Sequence, residues 1–338
     1  MRDGKTIVLT GASGVVGRAL LTELAGRPVI ALVHQDSVDG ARSVRCDVSR
    51  ERLGLDPDAY RRLAHEADVI VHAAGETDWA APAERFAQIN VRGTENVLAL
   101  ARDADVPLYH ISTSFVWALR ADAPLLLPDD NLIVNYVRSK IECERMLAES
   151  AVPHAVFRPT NLIGDSRTGA IARTQMVQLV SEFICRGKLP VFPARPDVLV
   201  DIVPQDVLAR AVVAVLDAEE IGTEYWVTAG ADALTVAQTV DACVRFMERI
   251  GRPIDRPQVV DPEQVDLDSP EFGARLSPMA RAFFGRLRDI SDGMTACGIF
   301  PTSLQELASR HGVEHGSFAE AYVRGLEWWA EDKGLLSR

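Results

Sequence analysis

The sequence is poor in the features that define several large classes of protein. It has five cysteines, an odd number without any CxxC pair, so we expect neither a disulfide framework nor a metal site. No apolar run approaches the roughly 18 residues that are needed to span a bilayer. Residues 1–5 lead directly into a short apolar strand, whereas a signal peptide has a longer hydrophobic region. The expected compartment is the cytoplasm, without membrane attachment.

Positive charge is also scarce. Lysine and arginine number 36 against 48 aspartates and glutamates, which gives a formal net charge of −12. A nucleic-acid partner is not expected, because such binding needs a surplus of cations to displace counterions. Hydrophobic residues make up 47% of the 338 residues, which excludes a disordered chain. This length allows one large domain, or one domain with a smaller lobe.

Short apolar runs alternate with helical patterns through the first half of the chain. Strands that are apolar throughout and separated by helices indicate a parallel sheet covered on both faces. Right-handed crossovers then make it a doubly wound, Rossmann-type α/β sheet. Strands are predicted at residues 6–10, 28–33, 44–48, 68–73, 108–113 and 154–158, and helices at 15–25, 57–67, 83–102 and 136–150.

After about residue 164 the alternation loosens. Helical stretches at 174–186, 205–219 and 235–250 are separated by proline-rich connections, and two or three further helices follow a long proline-rich loop or lid at 251–278. We expect a nucleotide-binding domain over residues 1–165. The rest, 166–338, is predicted to form a smaller, mostly helical substrate-binding lobe, interleaved with the first domain, over the carboxyl ends of the strands.

A glycine-rich loop joins the first predicted strand to the first predicted helix. Gly11 permits a tight turn, Gly14 lets the backbone approach a pyrophosphate, and Gly17 allows the helix to pack closely on the strand. The N-terminus of that helix offers free N–H groups to an anion. The loop therefore predicts a dinucleotide site, with phosphate contacts from Gly11, Ser13, Gly14, Val15, Val16 and Gly17.

The end of the second strand bears on the choice of cofactor. NAD enzymes commonly place an acid there, and NADP enzymes a cation. Val33 occupies the position of the acid, His34 stands where NADP enzymes often carry arginine, and Asp36 lies further along. We therefore favour NADP over NAD, with His34 and Arg18 near the 2′-phosphate. The alternative is that His34 is a solvated residue at the end of the strand.

A tyrosine and a lysine predict the reaction centre. Tyr136 and Lys140 are four residues apart in a helical segment, so they share one face. An ammonium beside a phenol lowers the pKa of the tyrosine, which can then exchange a proton with a carbonyl oxygen during hydride transfer. A hydroxyl from residues 112–114, at the end of the fifth strand, can hydrogen-bond to the same oxygen.

These motifs resemble those of the extended short-chain dehydrogenase/reductase family over residues 5–165. The resemblance implies that Thr113 is the catalytic hydroxyl, that Tyr136 is the acid/base and that Lys140 also holds the nicotinamide ribose. It implies that Asn90 supports the active-site helix. The shared motifs are residues 10–17, Asp47-Val48, Ala73-Ala74-Gly75, 90–94, Ser112-Thr113, 136–140 and Arg158-Pro159. The implied cofactor contacts beyond the glycine loop are His34, Asp47, Val48, Ala73, Ala74, Gly75, Lys140 and Pro159.

A narrower resemblance concerns thioester reductases, the terminal domains of carboxylic acid reductases and nonribosomal peptide synthetases. It rests on residues 46–55, 110–113, 158–169 and 200–204, although Cys46 stands where glycine is usual. It implies NADPH-dependent reduction of a carrier- or CoA-bound acyl thioester to an aldehyde or alcohol in natural product biosynthesis. An acyl carrier protein is then an expected partner.

Other activities remain open at this point. The same residues suit a reductase of a simple ketone or aldehyde, or an NAD-dependent nucleotide-sugar epimerase. A dehydratase is disfavoured because Ser114 and Phe115 follow Thr113 where an Asp-Glu pair is usual. A nucleotide-sensing regulator without chemistry typically lacks the Tyr–Lys pair.

Two further patterns have ordinary interpretations. Residues 311–315 fit the H-x-x-E-H pattern of zinc proteases, but the glycines within and after it favour a junction between a loop and a helix. Four arginines between residues 273 and 288 favour a solvated helix face, with docking of a phosphopantetheine carrier or a CoA phosphate as the alternative. These arginines are Arg275, Arg281, Arg286 and Arg288.

Overall fold

The computed structural model describes residues 4–189, 191–264 and 278–336, with side chains in the last range from residue 282 onward. The strands are β1 Ile7–Thr10, β2 Val29–Val33, β3 Arg42–Arg45, β4 Val69–His72, β5 Leu108–Ile111, β6 His154–Pro159, β7 Asn161–Ile163, β8 Val191–Pro193, β9 Leu199–Val200, β10 Ile202–Pro204, β11 Thr223–Val227, β12 Leu234–Thr235 and β13 Gln258–Val260. The helices are α1 Val15–Glu23, α2 Pro57–Glu66, α3 Ala83–Phe86, α4 Arg92–Ala104, α5 Val134–Glu149, α6 Met176–Cys185, α7 Gln205–Asp217, α8 Val236–Arg249, α9 Pro278–Cys297, α10 Leu304–His311 and α11 Phe318–Asp332.

Seven parallel strands form the central sheet, in the order β11-β6-β5-β4-β1-β2-β3. Strands β1, β2, β4 and β5 are buried along their whole length. One hydrophobic cluster lies on each face, and the larger continues into the second half of the chain. The predicted doubly wound sheet is confirmed. Because all strands run the same way, residues 10–14, 73–75 and 112–113 meet at one edge.

Two predicted elements of the first half differ in detail. The third strand is predicted at 44–48 but is found at Arg42–Arg45. The Cys46 N–H still donates to the Val33 carbonyl oxygen, at 2.8 Å, and the chain leaves the sheet after that bond. The helix predicted at 83–102 is α3 and α4 joined by a π-helical turn at Ala87–Val91. A π-turn inserts one extra residue into a helix and is common at functional sites.

The second half contributes to the sheet. Strand β11, which the sequence analysis did not predict, pairs along its length with β6. Helix α7 packs against α1 on one face of the sheet. Within the loop predicted at 251–278 the structure has β13 and a short 3-10 helix, Pro262–Gln264, and residues 265–277 lie outside the described part.

Three helices of the second half, α6, α8 and α11, pack against one another. Helix α6 packs against α8 and α11, and α9 packs against β8 and the 3-10 helix Ser114–Leu119. No helix in the described part of the chain is long and apolar enough to cross a membrane.

Candidate active site

The glycine loop is packed so tightly that side chains are excluded from it. Gly11 has a φ of +69°, and a Cβ atom there would lie 2.6 Å from the backbone of Ala73 and Ala74. A Cβ at Gly17 would lie 2.2 Å from the Gly11 carbonyl oxygen. The N–H of Gly14 donates to that same oxygen at 2.9 Å. The loop thus brings the start of α1 next to the residues that follow β4, as a dinucleotide site requires.

A buried network that sequence reasoning missed joins this loop to α5. The Thr10 hydroxyl accepts hydrogen bonds from the N–H groups of Ala73 and Ala74, at 3.2 and 3.1 Å, and is hydrogen-bonded to His72 Nδ1 at 2.7 Å. His72 Nε2 lies 3.2 Å from the Thr94 hydroxyl, which donates to Cys143 Sγ of α5 at 3.3 Å. Burial lowers the pKa of His72 to about 3, so the imidazole is neutral. The signal in the sequence was that Thr10 and His72 each end a buried strand.

The predicted adenine-side residues lie together beyond β2 and β3. Asp47 accepts hydrogen bonds from the Ser49 N–H and hydroxyl at 3.0 and 2.7 Å. Burial raises the pKa of Asp47, but these bonds and the nearby His34 outweigh it and hold the pKa below its usual value. The Val48 carbonyl accepts from Asn96 Nδ2 at 2.8 Å. The carboxylate is therefore fixed in its charged form beside an exposed His34.

Tyr136 and Thr113 form the centre of the site. Thr113 caps the 3-10 helix Ser114–Leu119, and its hydroxyl accepts from the Phe115 N–H at 3.3 Å. Burial raises the pKa of Tyr136 to about 12, partly offset by its hydrogen bond with Thr113. The sequence-based expectation that Lys140 lowers this pKa is wrong for the protein as described. Burial dominates, so Tyr136 is a neutral phenol that can donate a proton.

The Lys140 ammonium is bound by the end of β5. Its Nζ donates to the Ile111 carbonyl oxygen at 2.9 Å, and burial lowers its pKa. A Cβ atom at Gly75 would lie only 3.6 Å from this Nζ. The ammonium therefore sits between the sheet edge and the Gly75 backbone, on the side of the glycine loop.

The structure separates the two adjacent hydroxyl residues at the end of β5. Ser112 donates a hydrogen bond to Glu144, whose carboxylate also binds Arg158 through two bonds of 3.0 and 2.8 Å. Arg158 is itself buried and also pairs with Glu224. Ser112 is thus part of a structural ion-pair network, whereas Thr113 is hydrogen-bonded to Tyr136.

Asn90 connects the loop after β4 to α5. It lies in the π-turn and is 2% exposed. Its Oδ1 accepts from the Glu76 N–H at 2.7 Å, and its Nδ2 donates to Ser139 Oγ at 2.9 Å. Ser139 stands between Tyr136 and Lys140 in sequence, so Asn90 fixes the helix that carries both relative to Gly75.

The other predicted residues are more scattered. Pro159 ends β6, and Arg18 is exposed, with its Nε donating to the Ser13 carbonyl at 3.2 Å. His311 is the last residue of α10, and Gly312 caps that helix with a φ of +66°, as the helix-junction interpretation predicts. Arg286 and Arg288 are exposed on α9. Arg275 and the side chain of Arg281 lie outside the described residues. Within residues 4–189, 191–264 and 278–336, no group of three or more His, Cys, Asp or Glu could hold a metal ion.

Comparison with known proteins places these features in context. The family model described as "Male sterility protein", an NAD-binding family, matches residues 29–212. The glycine betaine reductase ATRR of Emericella nidulans is 29% identical over 234 residues, which is 56% of this chain and 18% of that protein. The aldehyde reductase lnaA of Aspergillus flavus is 27% identical over 328 residues, 81% of this chain and 30% of that protein. The chain therefore spans less than a third of either relative.

The same fold occurs in a solved structure. The terminal R domain from the myxalamid PKS-NRPS biosynthetic pathway superposes with a TM-score of 0.76 at 24% sequence identity. The match covers 98% of this chain and 92% of that one, so it includes the lobe as well as the sheet.

Proposed function

The chain belongs to the male sterility protein family of NAD-binding domains, and on that premise we propose that it is an NADPH-dependent reductase of acyl thioesters. The family lies within the extended short-chain dehydrogenases/reductases, which are NAD(P)H-dependent oxidoreductases. The observation that carries the proposal is the buried pair of Thr113 and Tyr136, hydrogen-bonded to each other beside Lys140 and Gly75.

The residues present suit a dinucleotide. The glycine loop has no room for side chains at Gly11 and Gly17, and the N-cap residue of α1, Gly14, has no side chain that could occupy the helix N-terminus. We assign the pyrophosphate to this helix end, the adenosine to Asp47 and Val48, and the nicotinamide side to Ala73, Ala74, Gly75, Lys140 and Pro159. A bound NADPH supplies the hydride.

In the proposed reaction the protein's residues act on the acyl oxygen. Thr113 and Tyr136 hydrogen-bond to that oxygen, and Tyr136 gives its proton as hydride reaches the acyl carbon. The carbon–sulfur bond of the resulting hemithioacetal then breaks and releases a thiol and an aldehyde. One thioester, one NADPH and one proton yield one aldehyde, one thiol and one NADP⁺. A second hydride and proton give the alcohol.

The proposed preference for NADPH rests on two basic side chains near the adenosine end of the site. His34 follows β2 directly and is exposed, and Arg18 lies on the first turn of α1. The last residue of β2 is Val33, at the position where NAD enzymes commonly carry an acidic residue. Michaelis constants for NADPH and NADH test this preference. We expect the Michaelis constant for NADPH to be lower than that for NADH. In a His34→Ala, Arg18→Ala double variant the Michaelis constant for NADPH should rise. A lower constant for NADH contradicts it.

We propose an acyl carrier protein as the donor of the substrate. The support is the family's occurrence in PKS-NRPS assembly lines and the exposed Arg286 and Arg288 on α9, which can meet an anionic phosphopantetheine or CoA phosphate. Replacing both arginines by Glu should raise the Michaelis constant for a carrier-bound thioester and not that for a short pantetheine thioester. An unchanged constant for the carrier-bound substrate removes this docking role.

One assay separates the proposed reaction from its alternatives. NADPH oxidation is followed with acyl-CoA thioesters, acyl-pantetheine thioesters, free aldehydes and nucleotide sugars, and the products are identified. Thioester reduction predicts thiol release together with an aldehyde or alcohol. Turnover of aldehydes or ketones alone identifies a simple carbonyl reductase. Conversion of a nucleotide sugar with tightly held NAD and no net oxidation identifies an epimerase.

A further inference from the structure

An apolar cavity lies beside the Thr113–Tyr136 pair, and the catalytic assignment does not use it. Its near end is formed by the Trp79 and Phe115 rings, whose centroids are 5.2 Å apart. The Trp79 centroid is 6.3 Å from that of Tyr136. From there the cavity continues between α6 and α9 to Tyr322 of α11.

The walls of this cavity are mainly hydrocarbon. Val177 and Val180 of α6 face Ile290 and Met294 of α9 across it. None of the described residues that line it is charged. A charged group moved from water into such a space is strongly disfavoured unless it finds a partner.

The few hydroxyl groups in the walls are already bonded to the protein. Ser181 donates to the Val177 carbonyl at 2.7 Å and lies 2.6 Å from the Tyr322 hydroxyl. The Tyr322 hydroxyl also lies 3.3 Å from Cys243 Sγ, so it has two partners within the protein. Thr239 donates to the Val236 carbonyl at 2.8 Å. The other polar residue of the lining, Asn161, donates its amide to the Asp201 carbonyl oxygen at 2.9 Å. The polar groups of the walls are thus already bonded within the protein, so a charged or strongly hydrated group that enters loses more hydrogen bonds to water than it regains.

We propose that this cavity binds the acyl chain of the substrate and selects an uncharged hydrocarbon chain, aliphatic or aromatic, over short cationic or distally charged acyl groups. The inference rests on the proposed function, since it takes Tyr136 as the group at the thioester carbonyl. A chain that leaves that carbonyl runs along the Trp79 and Phe115 rings, which touch edge to face, and fills the space between α6 and α9. Each buried methylene then adds binding through the hydrophobic effect.

A chain-length series tests the selectivity. Pantetheine thioesters of two to ten carbons are compared by kcat/KM for NADPH oxidation, together with 7-carboxyheptanoyl and betainyl thioesters. We expect kcat/KM to rise about three- to fourfold per methylene until the cavity is full. The two charged substrates should fall at least about 100-fold below octanoyl. Equal values across the series, or turnover of a charged substrate at the octanoyl rate, would overturn the proposal.

A pair of variants tests the location. Val180→Phe fills the cavity from α6, so it should lower kcat/KM for the octanoyl substrate at least about tenfold and leave that for acetyl unchanged. Leu179→Phe is the matched control, because Leu179 is the neighbouring residue on the same helix and does not line the cavity. Equal losses for both substrates in Val180→Phe, or the same chain-length shift in Leu179→Phe, would place the acyl chain elsewhere.

A binding measurement keeps this inference separate from the reaction. Octanoyl-pantetheine amide cannot release a thiol, and its binding is followed by calorimetry without NADPH. Binding by the wild type and by Leu179→Phe, with a loss of at least about tenfold in Val180→Phe, supports the cavity even if no thioester is reduced. Reduction of thioesters without these differences in binding would retain the proposed function and reject the cavity as the acyl site.

Discussion

At the scale of single residues, neighbouring hydroxyls at the end of β5 have different partners. Ser112 bonds to the carboxylate of Glu144, which also holds the buried Arg158. Thr113 faces Tyr136 and lowers the pKa of that phenol against the effect of burial. A hydroxyl already bound to a carboxylate cannot hydrogen-bond to a developing oxyanion as well. The assignment of Thr113 over Ser112 therefore has a structural reason beyond the motif.

Removing each hydroxyl in turn tests whether Thr113, and not Ser112, binds the oxyanion. Thr113→Val should lower kcat about 100-fold, because it removes one hydrogen bond to the oxyanion. Ser112→Ala should leave kcat nearly unchanged and lower the free energy of unfolding by about 1–3 kcal/mol, since Glu144 loses a buried partner. Steady-state kinetics and urea unfolding of both variants measure this. A larger loss of kcat in Ser112→Ala than in Thr113→Val would reverse the assignment.

Sequence spacing could predict which residues meet at the site, but not their pKa values. Four-residue spacing puts Tyr136 and Lys140 on one helix face, and that is where α5 carries them. The direction of the pKa shift of Tyr136 depends on its burial and on the hydrogen-bond acceptor of Lys140. Tertiary contacts determine both. The Ile111 carbonyl takes the Lys140 ammonium, and no local pattern encodes that choice.

At the scale of elements, the largest departure from the prediction is the π-turn between α3 and α4. The hydrophobic periodicity of residues 83–102 predicts one continuous helix. The inserted turn carries Asn90, whose amide bridges Glu76 and Ser139. Hydrogen bonds to residues far away in the sequence stabilise this π-turn. The local hydrophobic pattern therefore cannot predict it.

A buried carboxylate links the elements of the lobe to the sheet. Asp201, between β9 and β10, accepts hydrogen bonds from the Ala229 and Gly230 N–H groups at 2.9 and 2.8 Å. Burial raises its pKa to about 6, which these bonds only partly offset. The folded protein thus holds a proton on Asp201 between about pH 4 and 6 that the unfolded chain lacks.

This link predicts a specific pH dependence of stability. Because the folded-state pKa is raised, the contribution of Asp201 is complete below the unfolded pKa and is lost as the pH rises through about 6. Lowering the pH from 7.5 to 5 should raise the free energy of unfolding of the wild type by about 1.4 kcal/mol relative to Asp201→Asn. Urea unfolding at both pH values measures it. A constant difference between the two proteins would contradict the raised pKa.

At the scale of the whole molecule, the nucleotide-binding sheet is completed from the second half of the chain. Strand β11 pairs with β6 through five residue pairs, Thr223↔Ala155 to Val227↔Pro159. Helix α7 covers α1 on one face. The sequence predicts two interleaved units over residues 1–165 and 166–338, but it does not predict strand β11, since Thr-Glu-Tyr-Trp-Val alternates only weakly.

A truncated chain tests how far the two units depend on each other. A fragment of residues 1–165 would expose the edge of β6 and the face of α1, so we expect it not to fold alone. The prediction is that the fragment lacks a cooperative thermal transition in circular dichroism and is digested rapidly by protease, whereas the full chain resists. A cooperative transition in the fragment would show that the first unit is an independent domain.

In the proposed reaction Tyr136 donates the proton as hydride reaches a thioester carbonyl carbon. The most direct measurement incubates the protein with octanoyl-pantetheine and NADPH deuterated at both C4 positions, [4,4-²H₂]NADPH, and follows deuterium in the product by mass spectrometry. We predict deuterium at C1 of octanal or octanol, with released thiol, and a rate at least about 100-fold lower in Tyr136→Phe. Product without deuterium at C1, or an equal rate in Tyr136→Phe, would contradict the claim.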